Sequence, residues 1–380
     1  ALAIEKDEQG FFSAKIDREK CVSCGKCLNV CLKKGAKDAK ELSAGEIFAA
    51  QSTNENVVQN SSSGGIAYEM SLYAINNGYM VIGSVYDSEQ DIVKAVLAEN
   101  EEDILPFRGS KYLQSKCDDA FKRAVEIAKE DKEKSFLVFG TPCQIYGFAC
   151  LLETFNMRKR FVLVDFFCHG VPSYLVWNSY LKSIRKKIGD GQIKKVAFRD
   201  KTVGWHNFVM NIEGNKGTYR ETSEGDMFFK AFFDNVLLSQ ACFDCDVRKR
   251  VSKADIRLGD FWGKRFQNRE DGISAVLCLT EVGNRFVSQI TQLSLIAKTE
   301  VDEVLSAQSV RKYEREMNLH SDAIITLRET QNLKRTIKNY RKRFSLKRRI
   351  KLFIKESTVI LPDSIRAVIR KIYKRGLWVK

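Results

Sequence analysis

Two absences narrow what this 380-residue sequence can encode. No apolar run approaches the roughly 18 residues that a membrane-spanning helix needs. The stretch Phe161–Cys168 is among the longest apolar runs, and Asp165 interrupts it. The opening residues, ALAIEKDEQG, contain neither the basic nor the apolar part of a secretory signal. A spanning or secreted protein is therefore not expected, and we predict a cytoplasmic location.

A disordered chain is excluded by composition, because 44% of the residues are apolar and 11% are aromatic. The net charge of +15 is unevenly distributed. The 53 residues from Arg328 to Lys380 contain 18 Lys/Arg and three Asp/Glu, so this segment carries the whole excess. Residues 1–327 contain equal numbers of basic and acidic residues. A sign asymmetry of this kind predicts an appended interaction segment.

The eleven cysteines are clustered, and without a secretory signal clusters at ligand spacing indicate metal sites in a reducing compartment. The spacing of Cys21, Cys24, Cys27 and Cys31 is that of bacterial ferredoxins, which bind 4Fe–4S clusters. Gly25 would let the backbone wrap around the cluster. A zinc site is the alternative, but zinc sites usually pair two distant C-x2-C arms.

The fourth cysteine of such a run ligates the other cluster in two-cluster ferredoxins. Cys31 would then belong to a partner run. The residues before Cys21 resemble the hairpin that joins the halves of a ferredoxin domain, and the first residue is not Met. We therefore expect the chain to be truncated before Ala1. If Ala1 is the true start, Cys31 completes the same cluster or binds nothing. The usual proline after the fourth cysteine is Leu32 here.

From about Asn60 the pattern alternates between helices and short apolar strands, which predicts an α/β domain with a largely parallel sheet. The predicted helices span 64–77, 118–129, 144–152 and 173–187. The predicted strands span 79–85, 135–139 and 161–166. Ligands of such sheets collect where strands end and helices begin.

Three of these junctions have unusual residues. Ser61–Gly65 precedes the first helix, and its small residues could cradle a diphosphate, although serine-rich helix caps are common. Gly140–Gln144 and Cys168–Pro172 follow two strands, and each contains a cysteine. A cysteine that serves only for packing is not expected at such a turn.

Seven segments in order resemble the successive motifs of the coenzyme F420 hydrogenase/dehydrogenase beta-subunit family. They are SSSGG (61–65), RGSKYLQS (108–115), GTPCQIYG (140–147), DFFCHGVPS (165–173), FRDKTVGWHN (198–207), CFDC (242–245) and ADIRLGDFWG (254–263). The resemblance covers about residues 1–280 and implies an FAD-binding domain with one 4Fe–4S cluster. It also implies that electrons pass between clusters, flavin and a hydride donor or acceptor such as F420.

Relatives in that family include reductases of chlorophyll precursors. Bacterial members with an N-terminal ferredoxin region occur in surface-polysaccharide gene clusters, and this sequence looks most like that group. We expect FAD to contact nine residues of the shared segments. These are Ser63, Gly64, Gly65, Gly109, Ser110, Lys111, Tyr112, Thr141 and Gln144.

Seven cysteines lie outside the ferredoxin-type run. Cys143, Cys168, Cys242 and Cys245 are beside Gly, Pro or His, and four thiolates are what a second 4Fe–4S cluster requires. The alternative is that Cys242 and Cys245 bind zinc while the other two line the flavin pocket. The segment before Cys242 reads LLSQAC, where the family usually has Arg and Pro. The remaining three are expected at core or helix-start positions: Cys117, Cys150 and Cys278.

Two residues are candidates for catalysis. His169, one of three histidines, could relay a proton or tune a cluster, although a hydrogen-bonding role is the common one. Asp260, in GDFWG, could bond to the flavin, or it could be an acidic turn residue. His206 is expected to line the pocket.

The basic segment predicts two amphipathic helices, over 334–355 and 365–378, with Ile337, Tyr340 and Phe344 on one face of the first. Such helices bind anionic membrane surfaces or partners. A charged face packed on the rest of the protein is the alternative. Nucleic acid is not expected, because no base-reading motif accompanies the charge. We predict peripheral attachment to the inner membrane face.

These observations divide the chain into a ferredoxin-type segment (1–40), a mixed α/β FAD and iron–sulfur domain (41–310) and a basic helical tail (311–380). The predicted function is an oxidoreductase that uses FAD and 4Fe–4S clusters on a small organic substrate, with a ferredoxin-like electron donor. The competing prediction is an electron-transfer or accessory subunit without a substrate, docked to a membrane-associated glycan-synthesis complex.

Overall fold

The computed structural model describes residues 1–32, 40–42, 45–248, 251–308 and 317–357. They form a mixed α/β fold. The helices in these ranges are α1 Lys26–Asn29, α2 Glu55–Gln59, α3 Ile66–Asn76, α4 Glu101–Ile104, α5 Asp118–Glu130, α6 Pro142–Thr154, α7 Tyr174–Lys187, α8 Met227–Phe233, α9 Gln240–Phe243, α10 Glu281–Ser288, α11 Val301–Ala307, α12 Met317–Thr330, α13 Leu333–Arg341 and α14 Leu346–Ser357. Short 3-10 helices span Leu105–Phe107, Arg158–Arg160 and Lys264–Phe266.

The strands in the same ranges are short, with eight residues in the longest. They are β1 Leu2–Lys6, β2 Phe12–Ile16, β3 Lys40–Glu41, β4 Ile47–Ser52, β5 Met80–Asp87, β6 Ile92–Ala98, β7 Ser115–Lys116, β8 Phe136–Phe139, β9 Phe161–Phe166, β10 Ile193–Asp200, β11 Val209–Gly214, β12 Thr218–Thr222, β13 Val251–Ser252, β14 Ile256–Asp260, β15 Ser274–Cys278 and β16 Leu293–Lys298.

A nine-stranded sheet runs in the order β16-β4-β15-β14-β9-β8-β5-β6-β7. Its centre, β14-β9-β8-β5, is parallel, as is the β6-β7 edge. The other four pairings are antiparallel, so the prediction of a largely parallel sheet is wrong. The alternation pattern assumes a helical crossover after each strand. Residues 88–91 instead turn β5 directly into β6, and only a 3-10 helix separates β14 from β15.

The predicted elements of the middle region are present, with ends shifted by no more than two residues. Strand β9 occupies 161–166 as predicted, and α6 extends the predicted 144–152 helix by two residues at each end. Ile66, Met70 and Ala74 of α3 are buried against the sheet, at the spacing of one helix face. Because β14, β9, β8 and β5 are parallel, their carboxyl ends lie at the same edge of the sheet. This edge sets the position of the site.

A second layer consists of the antiparallel sheet β10-β11-β12 packed with α7 and α8. Its core is aromatic, with Trp177, Phe198 and Phe228 fully buried and in ring contact. Asp226 begins α8 by accepting from the Phe229 amide, and it also accepts from the Tyr180 hydroxyl at 2.6 Å. This layer forms one wall of the candidate site.

The N-terminal hairpin β1-β2 is anchored to the start of α7. Ser173 Oγ donates to the Gln9 carbonyl at 2.5 Å, and the Tyr174 amide donates to Gly10 at 2.9 Å. Gly10 has φ +80°, and a Cβ there would lie 2.7 Å from Ser173 Oγ, so a larger residue would separate the two segments. The ferredoxin-type run that follows therefore starts from a fixed point.

The tail differs from its prediction. The expected helix over 334–355 is broken at residues 342–345 into α13 and α14. Ile337, Tyr340 and Phe344 are buried in the core with α7 and α8, so this apolar face is not available to a membrane. Periodicity alone did not reveal what covers the face.

Helix α14, in contrast, exposes three apolar side chains on one side: Leu346 (70%), Ile350 (49%) and Phe353 (73%). The second predicted helix, over 365–378, lies outside the described residues. Across the described ranges, no helix combines the length and apolar composition required to cross a membrane.

Candidate functional site

A cavity of about 510 Å³ lies at the carboxyl ends of β8, β9 and β14 and at the N-terminus of α3. Its volume is within the range of small-molecule sites. Eleven residues that the sequence predicted as FAD-binding, cluster-binding or catalytic line it. They are Ser63, Gly65, Gly109, Ser110, Lys111, Tyr112, Thr141, Gln144, Cys168, His169 and Asp260. Segments from 61 to 260 in the sequence thus meet around one space.

The loop before α3 bonds to the sheet at Ser63 and Gly64 and faces the cavity from Gly65 onward. Ser63 Oγ donates to the Ile273 carbonyl at 2.9 Å, and the Gly64 amide donates to Ser274 Oγ at 3.0 Å. A Cβ at Gly64 would lie 2.6 Å from the Ala50 carbonyl oxygen. Gly64 is therefore required for packing on the sheet and is not among the residues that line the cavity, so its predicted contact with FAD stays a prediction. Gly65, Ile66 and Ala67 do line it, so the first turn of α3 faces the cavity.

The first turn of a helix has N–H groups without intrahelical partners and carries a partial positive charge. Arg108 also lines the cavity, with its guanidinium 3.7 Å from the centroid of the Tyr68 ring in the same turn of α3. The Ser110 amide donates to Ser62 Oγ at 2.7 Å, which fastens the two segments together. Gly109 has φ +80°, and the space beside it is open. This corner can accept an anion such as a diphosphate.

Lys111 lines the cavity, and its ammonium bonds to the protein itself. Its Nζ donates to the carbonyl oxygens of Pro106 at 2.7 Å and of Phe107 and Arg108 at 3.0 Å. Burial lowers the pKa of its ammonium to about 7. Lys111 therefore holds the 106–108 turn in shape, and its donors are not directed at a ligand.

Thr141 and Gln144 form the start of α6. The Gln144 Oε1 accepts from the Thr141 amide at 3.1 Å, and its Nε2 donates to the Ser115 carbonyl at 2.8 Å. This capping box fixes the helix and brings Cys143 into its first turn. Thr141 Oγ1 lies 3.2 Å from Cys143 Sγ. Both residues line the cavity while they position that cysteine.

Asp260 is held in an ion pair that the sequence did not indicate. Its Oδ2 accepts from Arg199 Nη1 at 2.6 Å, and its Oδ1 accepts from Trp205 Nε1 at 2.7 Å. Arg199 and Trp262 also line the cavity. The Trp205 and Trp262 rings are stacked at 4.6 Å. With both oxygens bonded, the carboxylate of Asp260 orients Arg199 and Trp205.

His169 is held by protein partners. Its Nε2 lies 2.9 Å from Asn235 Oδ1, and the Phe232 backbone also interacts with the ring. Burial lowers the pKa of the imidazole to about 4, so it is neutral near pH 7. This geometry favours the hydrogen-bonding role over proton relay. His206, expected to line the pocket, is not among the cavity-lining residues. Its ring contacts the rings of Trp205 and Trp262, and Trp262 does line the cavity.

Cys143, Cys168, Cys242 and Cys245 converge beside this cavity, which Cys168 lines. Burial raises the pKa of the Cys168, Cys242 and Cys245 thiols, and other members of the group raise each of them further. Gly170, with φ +128°, allows close approach, since its Cβ would lie 3.2 Å from the Cys242 Cβ. Val171 and Ser239 join the two loops by a backbone hydrogen bond of 2.9 Å.

A buried ion pair supports the same group. Arg257 Nε and Nη2 each donate to Asp165 at 2.6 Å, and Nη2 also donates to the Val247 carbonyl at 3.1 Å. Ser252 Oγ donates to Asp165 at 2.7 Å. The pair therefore ties the end of β9, which precedes Cys168, to the segment that follows Cys245.

The ferredoxin-type run lies close to these cysteines. Gly25 has φ +70° and Ser23 has φ +52°, so the chain wraps tightly before α1. Val30 and Leu32, on either side of Cys31, pack with Cys245 against Tyr146, Cys150 and Val247. Cys21 and Cys24 are exposed.

Cys150 and Cys278 are buried in apolar clusters, and Cys117 immediately precedes α5, as expected for these three. No set of three or more His, Cys, Asp or Glu in the described ranges is arranged around a single metal ion. Four thiolates around a cubane are farther apart than around one ion, because each binds a different iron. Four converging thiols are the donor set that a 4Fe–4S cluster requires.

Two family models match most of the chain. Residues 47–122 match the N-terminal family model of the coenzyme F420 hydrogenase/dehydrogenase beta subunit. Residues 133–304 match the C-terminal model of the same family. No curated protein is similar enough to count as a match.

Among solved structures, the fold is similar to a chain of the F420-reducing NiFe hydrogenase complex from Methanosarcina barkeri, in a xenon-derivatised form. The two chains are 20% identical, with a TM-score of 0.47, and the match covers 80% of this chain and 92% of the other.

Proposed function

Because the chain belongs to the coenzyme F420 hydrogenase/dehydrogenase beta-subunit family, we propose that it is an iron–sulfur flavoprotein oxidoreductase. In this proposal the run Cys21–Cys31 and the group Cys143, Cys168, Cys242 and Cys245 hold 4Fe–4S clusters. FAD occupies the cavity, and electrons pass between the clusters and the flavin.

The position of Cys168 carries the proposal. This residue belongs to the converging cysteine group and also lines the cavity. A cluster held by that group would therefore border a ligand in the cavity, without an intervening layer of protein. Val30 and Leu32 place the ferredoxin-type run against Cys245 on the far side. These two contacts support a stepwise path of electrons from the ferredoxin-type run, through the second cysteine group, to the cavity.

One end of the cavity has the features of a site for the diphosphate of a dinucleotide. The first turn of α3, Arg108 and the open space beside Gly109 supply an anion site for the diphosphate. When bound, FAD supplies the exchange between single electrons and hydride. Around it, the chain's own residues would orient the ligand.

The substrate would be a small organic molecule, reduced or oxidised with a ferredoxin-like electron donor, in surface-polysaccharide biosynthesis. Phe233 is 46% exposed and Ser110 is also exposed, and both line the cavity, so it opens to the surface. An open site favours an enzyme. An accessory electron-transfer subunit would not need access for a substrate.

Anaerobic purification followed by absorption spectroscopy and cofactor analysis tests the proposal. We expect flavin bands over broad iron–sulfur absorption, extractable FAD, and iron at about four to eight atoms per chain. Colourless protein that contains zinc alone would contradict it. Flavin without iron would leave the cavity assignment standing and refute the cysteine assignment.

A second proposal concerns location. Helix α14 combines an exposed apolar side with Lys347, Arg349 and Lys351, which suits it to an anionic membrane surface. Removing residues 346–380 should abolish binding to phosphatidylserine vesicles while flavin and iron remain. Binding by the full chain should weaken with salt, because charges are screened within about 8 Å at physiological ionic strength. Equal binding to neutral vesicles would contradict the proposal.

A further inference from the structure

Arg199 is a buried cation on the cavity wall with donors to spare. Its Nη1 donates to Asp260, and the Tyr112 side chain also interacts with the guanidinium. In the described part of the chain, no acceptor lies within hydrogen-bonding geometry of Nε or Nη2. Buried charged donors without an acceptor are costly, and native proteins rarely leave them so. An acceptor supplied by a ligand would complete the set.

The orientation of this guanidinium is fixed from several sides. Trp205 holds the second oxygen of Asp260, so the carboxylate cannot rotate away from Arg199. The guanidinium carbon lies 4.8 Å from the centroid of the Phe208 ring and 5.5 Å from that of Trp262. The site is thus arranged before any ligand binds, which reduces the cost of binding.

The position of Arg199 relative to the cysteines indicates which part of a ligand it meets. Its partner Asp260 ends β14, next to Gly259, where a Cβ would lie 2.5 Å from the Phe167 ring. Phe167 directly precedes Cys168. The ion pair is therefore on the cluster side of the cavity, whereas Arg108 and α3 already supply the diphosphate corner. The redox-active ring must lie near the cluster to exchange electrons.

We propose that Arg199 donates from Nε and Nη2 to a carbonyl oxygen of the flavin's pyrimidine ring. This contact would stabilise the negative charge of the reduced ring. The inference rests on FAD occupying the cavity, as proposed above. A cation beside that edge of a flavin tunes its electronics. Asp260 acts as a positioning residue. Its two oxygens accept from Arg199 and Trp205, so it orients Arg199 and leaves the contact with the ligand to that residue.

The test measures the flavin reduction potential and the FAD dissociation constant of the full chain. The double variant Arg199→Met/Asp260→Asn removes both charges, so no unpaired carboxylate remains buried. We expect the reduction potential to become more negative and FAD to bind about tenfold more weakly or worse, as for a lost charged hydrogen bond. An unchanged potential would overturn the proposal, because weaker binding alone would mean that Arg199 contacts phosphate.

Two further variants make the result decisive. Arg158→Met/Asp255→Asn removes a similar ion pair at the opposite end of β14, away from the cavity, and should leave both quantities at wild-type values. Arg199→Lys keeps the charge that Asp260 needs but loses the planar fork, so FAD should bind more weakly while the potential shifts less. Wild-type values in Arg199→Lys would contradict the inference even if the double variant does not fold. Wild-type protein without FAD would refute the proposed function instead.

Discussion

The two cysteine groups of this chain are built in opposite ways. Cys21, Cys24, Cys27 and Cys31 lie within eleven residues, with Cys21 and Cys24 exposed and one short helix between the last two. Cys143, Cys168, Cys242 and Cys245 are spread over about 100 residues of sequence, in helices α6 and α9 and in two loops, and they are brought together by the sheet. Of these four, only Cys143 is exposed. The first group depends on local spacing, and the second depends on the whole fold.

This difference assigns different tasks. A local and exposed group can meet an external electron donor, and its ligands do not require the sheet. A group assembled by the fold can be placed against the cavity that the same fold creates. Cys168 shows this directly, because it belongs to both. The comparison predicts that damage to the fold affects the second group first.

The largest expected effect follows from breaking the second group. Cys143→Ser or Cys245→Ser should lower iron by about four atoms per chain and leave the cluster of the ferredoxin-type run intact. Cys27→Ser is the matched variant and should do the reverse. Iron analysis with electron paramagnetic resonance of the reduced protein measures both. Unchanged iron in the first two variants would show that these cysteines are not ligands.

A smaller effect is expected from the buried ion pair that supports this group. Arg257→Met leaves the Asp165 carboxylate buried without its partner, which should destabilise the fold by about 3–5 kcal/mol. Chemical denaturation and iron content measure the loss, and iron should leave the second group at lower denaturant. Lys15→Met removes an exposed pair with Glu5 and should cost about 1 kcal/mol or less. Equal effects would mean that the pair has no supporting role.

The smallest effect concerns the contact between the groups. Val30→Asp places a charge in the apolar contact with Tyr146 and Val247, so the run should separate from α6. Electrons that enter at the ferredoxin-type run should then reduce the flavin about tenfold more slowly, as measured by stopped-flow absorbance. Val22→Asp changes a side chain that is 83% exposed on the same run and should have no effect. If both variants behave alike, this contact is not the route.

The sequence predicted what depends on local pattern. Strand β9 and helices α6 and α7 are in place because their apolar spacing and caps lie within a few residues. The convergence of Cys143, Cys168, Cys242 and Cys245 also agrees with the sequence prediction. The ligand roles of these four remain a prediction.

What the sequence did not reveal depends on distant partners. The importance of Arg199 follows from Asp260, 61 residues later, and that of Arg257 from Asp165. The protein partners of the Gly64 amide and the Lys111 ammonium are likewise distant in sequence or set by the local turn, and the sequence did not indicate them. Nor could periodicity distinguish α13, whose apolar side is covered, from α14, whose apolar side is exposed.

The most direct test of this account is X-ray diffraction from crystals of anaerobically purified protein, measured on both sides of the iron absorption edge. Iron differs from the other atoms in its anomalous scattering there, so an iron cluster is located without assumptions about the chain. The account predicts a strong iron peak enclosed by Cys143, Cys168, Cys242 and Cys245, beside flavin density in the cavity. No peak at that position, or a zinc signal there, would contradict it.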